Sequence, residues 1–161
     1  MEKNPTTRRS LTFDGLADAV AECEKLLESG YRMNGRWTLA QICRHLRLIQ
    51  DRNIDGFPGW MSLFAPIRPL VRWLFLPRLL RGDSPKGIPT AKMFVPPGDL
   101  NDSEEFQEFK KSAERFINHS GPLRAHPGFG KLDRDKMEKI HAAHAAHHLG
   151  FLEAESGDDG S

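Results

Sequence analysis

The feature that most constrains this chain is a helix-forming segment near its end that carries His141, His144, His147 and His148. An α-helix advances about 100° per residue, so these positions can be set against the apolar residues around them. With Met137 as the zero direction, Ile140 and Phe151 fall roughly 60° and 40° to one side and Leu152 about 60° to the other. The expected core direction lies near Met137, with His144 and His148 each about 20° from it and His141 and His147 at about 40° and 80°. Two imidazoles in the middle of a buried stripe are unfavourable unless their nitrogens find partners. The i, i+4 spacing of His144 and His148 can aim two ring nitrogens at one ion, as in the helical H-x-x-x-H of zinc peptidases. Ala145 stands where H-E-x-x-H has its Glu, so the peptidase reaction has no general base and is rejected.

The other periodicities place this segment in a fold. Phe13, Leu16, Val20, Cys23 and Leu27 recur at three- and four-residue steps and predict a helix that stops at Gly30. Thr38 and Gln41 have capping-box spacing and open a second helix on Leu39, Ile42, Leu46 and Ile49, running to about Gln50. Asp102 and Glu105 have the same spacing before Phe106, Phe109, Ala113, Phe116 and Ile117, and Gly121-Pro122 ends that helix. The histidine helix is expected over residues 133–154. Short helical pieces are expected around Met61–Phe64 and Leu70–Leu80, and no convincing run of strands is visible. The expected fold is all-α, a four-helix bundle with a long irregular, arginine- and aromatic-rich connection between the second and third long helices.

His45 lies on the second helix, about 40° from Ile49, and reaches a site shared with the histidine helix if the two are neighbours. Cys43 is not its co-ligand, because i and i+2 residues do not face each other on a helix. Spacing alone leaves two readings open: a three-histidine metal site, or a solvated or hydrogen-bonded cluster.

Composition narrows the function classes. A chain of 161 residues favours one domain, expected over 11–155, with a flexible start over 1–10 and a disordered Gly/Asp/Ser tail over 156–161. Lys+Arg 23 against Asp+Glu 22 leaves a formal charge of +1, which argues against a protein that coats nucleic acid. Cys23 and Cys43 are too few for a disulfide scaffold and read as free buried thiols in a reducing compartment. Arg8-Arg9 is followed by Asp14, Asp18 and Glu22 rather than by an apolar run, so a cytoplasmic protein is expected. The most apolar stretch, Trp60 to Leu80, carries Arg68, Arg72 and Arg78 and three prolines, and does not read as a membrane span. It has no acidic residue as far as Arg81. It reads as a cover whose aromatics pack on the bundle, as a lid over an anionic substrate, or as a membrane-surface contact.

Trp37-Thr38-Leu39-Ala40-Gln41-Ile42-Cys43-Arg44-His45-Leu46 resembles the W-[ST]-x-x-x-[ILV]-x-x-H-L segment of the DinB-like (DinB/YfiT-like) superfamily, and His144-Ala145-Ala146-His147-His148-Leu149-Gly150 is similar to its last-helix H-x-x-H-H-x-G signature. His126-Pro127-Gly128-Phe129-Gly130-Lys131-Leu132 resembles the H-P-x-F-G-x-L loop of one branch known only as a domain of unknown function. Leu149-Gly150-Phe151 replaces the common Arg-Gly-Gln, which puts any role of that Arg or Gln in doubt.

The resemblance implies a four-helix bundle holding a divalent metal on His45, His144 and His148; imidazole ligation suits zinc, nickel, copper or iron without choosing among them, and zinc or nickel is expected. It also implies thiol S-transferase chemistry, in which a small thiol joins an electrophile; a hydrolase is the second enzymatic expectation. The implied partners are a small-molecule substrate or thiol and a second copy in a homodimer. His126 is the candidate acid/base, and its alternative is a turn residue with no further role. His147 either supports the site from beside the ligands or is simply exposed, and exposure is the expectation. The competing classes are a non-catalytic metal- or ligand-binding bundle and an interaction domain without metal.

Overall fold

The structure is a computed structural model that describes residues 7–83 and 90–155. Over those residues the chain is mostly helical, with five α-helices, two 3-10 segments and one two-stranded antiparallel sheet. Helix α1 spans Leu16–Ser29 and stops at Gly30, whose φ of 73° lies in the left-handed region that favours glycine. Strand β1 is Tyr31–Met33 and helix α2 is Leu39–Asp55. A 3-10 segment over Gly59–Ile67 leads directly into α3, Arg68–Leu80. Helix α4 spans Asp102–Asn118, α5 spans Arg134–Leu149 and β2 is Leu152–Ala154.

Helices α1 and α2 each pack on both α4 and α5, and α3 packs on α5 alone among the other α-helices with more than marginal contact. Cys23 and Leu26 of α1, Ile42 and Leu46 of α2, Phe106 and Phe109 of α4 and Leu149 of α5 therefore meet in one buried cluster. A second cluster of Leu16, Ala113, Phe116 and Met137 joins α1, α4 and α5. Arg134, at the start of α5, donates to the carbonyls of Phe116, Ile117 and His119, satisfying orphan acceptors at the end of α4.

The amides at the start of α2 are held by two sets of groups. Thr38 and Gln41 make the expected capping box. The Leu39 amide donates to the Tyr31 hydroxyl at 3.0 Å, and the Ala40 amide to Asp102 Oδ1 at 2.8 Å. The Tyr31 hydroxyl donates in turn to Asp102 Oδ2 at 2.8 Å. This corrects the cap expected for α4. Asn101, not Asp102, is its N-cap and accepts from the Glu104 amide at 3.0 Å. Both residue types can cap, and with Asn101 in that place the Asp102 carboxylate is free to cap the neighbouring helix.

The histidine helix also ends earlier than its apolar period suggests. It stops at Leu149, and Leu152–Ala154 pairs antiparallel with β1, Leu152 opposite Met33. The N-terminal arm crosses here: the Arg9 amide donates to the Gly150 carbonyl at 2.8 Å, and the Arg9 Nε donates to the Leu152 carbonyl at 2.5 Å. A Cβ at position 150 would stand 2.7 Å from the Arg9 carbonyl oxygen, so the crossing requires glycine. Phe151 and Leu152 therefore do not belong to the helix. The buried residues of α5 are Met137, Ile140, His141, Ala142, Ala145, Ala146 and Leu149, while His144 and His148 are only partly buried. Residues 1–6 of the expected flexible start and the expected tail over 156–161 lie outside the described residues.

Candidate metal centre

His45 lies seven residues beyond the Thr38 cap, buried on α2 where that helix packs against α5. The adjacency of these two helices is the condition on which a shared histidine site depends, and it is met. His45 Nε2 lies 3.2 Å from His144 Nε2, which lies 3.1 Å from His148 Nε2. One nitrogen from each of the three rings falls within 4.8 Å of the others.

The protonation of His45 follows from its other nitrogen. Nδ1 is 2.8 Å from the Phe94 carbonyl oxygen, which can only accept, so Nδ1 carries the ring proton and donates it. Nε2 is left with a lone pair facing the other two rings. Burial, the largest cause for each ring, lowers the pKa of His45 and holds those of His144 and His148 well below the usual imidazole value. Neighbouring histidine charge reinforces this at His144 and His148. Neutral imidazole is the form that ligates a metal. Nitrogens that each sit about 2.0–2.1 Å from one ion are about 3.0–3.4 Å apart, depending on the angle between them, and the two separations to His144 fall in that interval. With the third pair within 4.8 Å, the cluster could bind a divalent ion. Trp37 closes one side, stacked on His148 at 5.3 Å and tilted against His45 at 4.9 Å.

The three rings border a cavity of about 560 Å³. Phe57, Phe64, Val71, Phe75 and Phe94 supply much of its apolar wall. His126 is in the same wall, but among the described residues no hydrogen bond joins it to the three clustered rings. Its Nδ1 accepts from the Gly128 amide at 3.1 Å and more weakly from the Phe129 amide at 3.3 Å. The ring proton is therefore on Nε2, and burial lowers the pKa to about 4. Two backbone hydrogen bonds between His126 and Gly130 close this loop, and Arg68 Nε ties it to α3 by donating to the Pro127 carbonyl at 2.8 Å.

His147, expected to be exposed, is half-buried, borders the cavity and accepts from Arg8 Nη1 at 2.5 Å. His141 is buried on the cavity wall, edge-on to Phe116 at 5.1 Å, with no hydrogen-bond partner for Nε2 among the described residues. Burial lowers its pKa to about 3. His119 ends α4 and does not border the cavity. Cys23 and Cys43 are free and buried, with sulfurs 3.9 Å apart.

Sequence reasoning missed three contributors. Trp37 entered only as a motif letter, and the unpartnered Nε2 of His141 has no local signature. Phe94 acts through its carbonyl, a group every residue type carries, so no residue identity could have announced it.

The chain belongs to the family described as protein of unknown function (DUF1569), whose pattern matches residues 5–155. Among curated proteins and among solved structures, nothing matches.

Proposed function

We propose that His45, His144 and His148 hold a divalent transition metal, zinc or nickel, at the floor of the apolar cavity. On this reading the protein is a DinB-like enzyme that joins a thiol to a small electrophile. The observation that carries the proposal is the convergence of three Nε2 atoms with the His45 tautomer set by the Phe94 carbonyl. The DinB-like assignment rests on two segments, one containing Trp37 and His45 and the other His144 and His148, which are far apart in sequence and meet in space. The pairing of α1 and α2 with both α4 and α5 supports a four-helix bundle.

A divalent ion on three neutral imidazoles supplies an open position at which a thiol or water gives up its proton more readily. The chain's own groups do the rest. The aromatic and aliphatic wall receives the apolar part of the substrate and excludes water from the reacting atoms. His126 keeps its proton on Nε2 and uses Nδ1 to accept backbone amides, so it acts as a hydrogen-bond donor to the substrate and not as a general base. The unpartnered Nε2 of His141 is a second polar contact in that wall. The free buried thiols of Cys23 and Cys43 support a reducing, cytoplasmic location.

Elemental analysis of the purified chain and of His148→Ala tests the ligand set. One equivalent in the native chain and its loss in the variant are expected; undiminished stoichiometric metal in the variant overturns the assignment. Metal-dependent consumption of thiol over a panel of thiols and electrophiles tests the reaction. The engagement of His126 Nδ1 leaves that ring without a base and favours a second reading, a metal- or ligand-binding bundle without turnover. Bound metal with no thiol consumption selects that second reading. A chain without metal that retains its fold selects an interaction domain.

A further inference from the structure

The large apolar face of a helix is normally turned to protein, because turning it to water exposes its side chains. Helix α3 departs from that rule. Val71, Phe75 and Leu79 border the cavity, yet the opposite side is apolar too and faces outward. Leu70 is 57% exposed and Trp73 is 73% exposed; in the preceding 3-10 segment Trp60 is 51% and Leu63 is 81% exposed. Of the twelve large hydrophobic residues exposed among the described residues, eight fall between Trp60 and Leu80. The expected cover with its aromatics packed on the bundle is therefore not what forms: Met61 and Leu76 are buried, and most of the large side chains around them are not.

The same segment is positively charged and carries no compensating acid. Arg68, Arg72, Arg78 and Arg81 form no ion pair among the described residues, and no Asp or Glu occurs from Trp60 to Arg81. Arg68 and Arg72 donate to the carbonyls of Pro127 and Lys131, which positions them without neutralising them.

We propose that the segment Gly59–Leu80 is a membrane-surface element that seats on an anionic lipid bilayer. The tryptophans and leucines enter the headgroup–acyl boundary and the exposed Arg72, Arg78 and Arg81 pair with lipid phosphates. Charge decides against the nearest alternative, a second copy of this chain. A two-fold interface sets the same patch against itself, and here it would oppose arginines to arginines with no acid on either side. The helix does not span: α3 has 13 residues, about 20 Å of helix, against about 30 Å of hydrocarbon. No helix among the described residues is long and apolar enough to cross. Phe64 and Ile67 are both exposed and part of the cavity lining, so seating brings the cavity wall to the lipid and favours apolar ligands that partition there. This inference stands independently of the metal reading.

The test is cosedimentation of the full chain with vesicles of phosphatidylcholine, alone or mixed with phosphatidylglycerol. Binding to the anionic vesicles about tenfold tighter than to the neutral ones is expected, weakening as salt rises. The exposed double variant Leu63→Glu/Trp73→Glu loses binding by about tenfold or more, while its circular dichroism and its metal content match those of the native chain. Arg78→Glu/Arg81→Glu loses the preference for anionic lipid. Absence of binding to either vesicle, or binding that Leu63→Glu/Trp73→Glu leaves intact, overturns the proposal. Light scattering that shows a dimer dissociated by the same variant overturns it in favour of a second copy.

Discussion

Replacing Tyr31 by Phe removes one oxygen and, with it, two hydrogen bonds that hold the start of α2. The hydroxyl accepts from the Leu39 amide at 3.0 Å and donates to the Asp102 carboxylate at 2.8 Å. A neutral bond contributes about 1 kcal/mol and one to a charged group about 1.5–3 kcal/mol. Water can reach the partly exposed site and take up the freed groups, so the expected loss is about 2 kcal/mol, somewhat below that sum. For a chain of this size it lowers Tm by about 4–8 °C. The same oxygen reports itself spectroscopically, because Tyr31 is the single tyrosine of the chain and phenolate absorbance reads it alone. Burial, offset by the Leu39 amide and reinforced by Asp102, raises its pKa from 10 to about 12. The native state thus keeps a proton that the unfolded state loses. This contribution to stability is fully present below pH 10 and disappears as pH rises through about 12. Solvent screening at this partly exposed ring reduces it to about 1 kcal/mol or less. Urea melts of both chains, at neutral and alkaline pH, and absorbance titration with and without urea measure these effects. A variant within about 0.5 kcal/mol of the native chain, or a native phenol that ionises near 10, refutes the reasoning.

Burial lowers the pKa values of His126 and His141 to about 4 and 3, so the stability they confer as neutral rings is present above pH 6.5 and is lost as pH falls through about 4 and then 3. Acid melts followed by circular dichroism should show this limb, and a profile flat down to pH 3 contradicts it. Gly150→Ala places a methyl 2.7 Å from the Arg9 carbonyl oxygen. A loss of about 1–3 kcal/mol in urea unfolding is expected, and an unchanged midpoint contradicts the close crossing. Zinc added to the metal-free chain at about 100-fold excess over Kd should stabilise it by about 2.7 kcal/mol, a shift of Tm that His144→Ala abolishes. An equal shift in both chains places the ion elsewhere.

What was legible in the sequence was whatever is decided within one helical turn. The stop at Gly30, the Thr38–Gln41 box and the existence of α1, α2, α4 and α5 follow from spacings of three or four residues. So does the pairing of His144 with His148. Asn101 taking the cap expected of Asp102 shows the limit of that locality: both can cap α4, and the choice follows from what else Asp102 holds.

Tertiary structure alone decided the rest. It brought α2 against α5, which turned a pair of histidines into a group of three, and it supplied the Phe94 carbonyl that orients the third. It ended α5 at Leu149, where the N-terminal arm crosses Gly150, and it left the His144 and His148 rings bordering a cavity although Met137, Ile140 and His141 around them are buried. It left the outer side of α3 uncovered although its residues are as apolar as a core. A period of 3.6 residues tells which side chains share a face. What that face meets depends on segments tens of residues away, and only packing decides whether it is protein, cavity or surroundings.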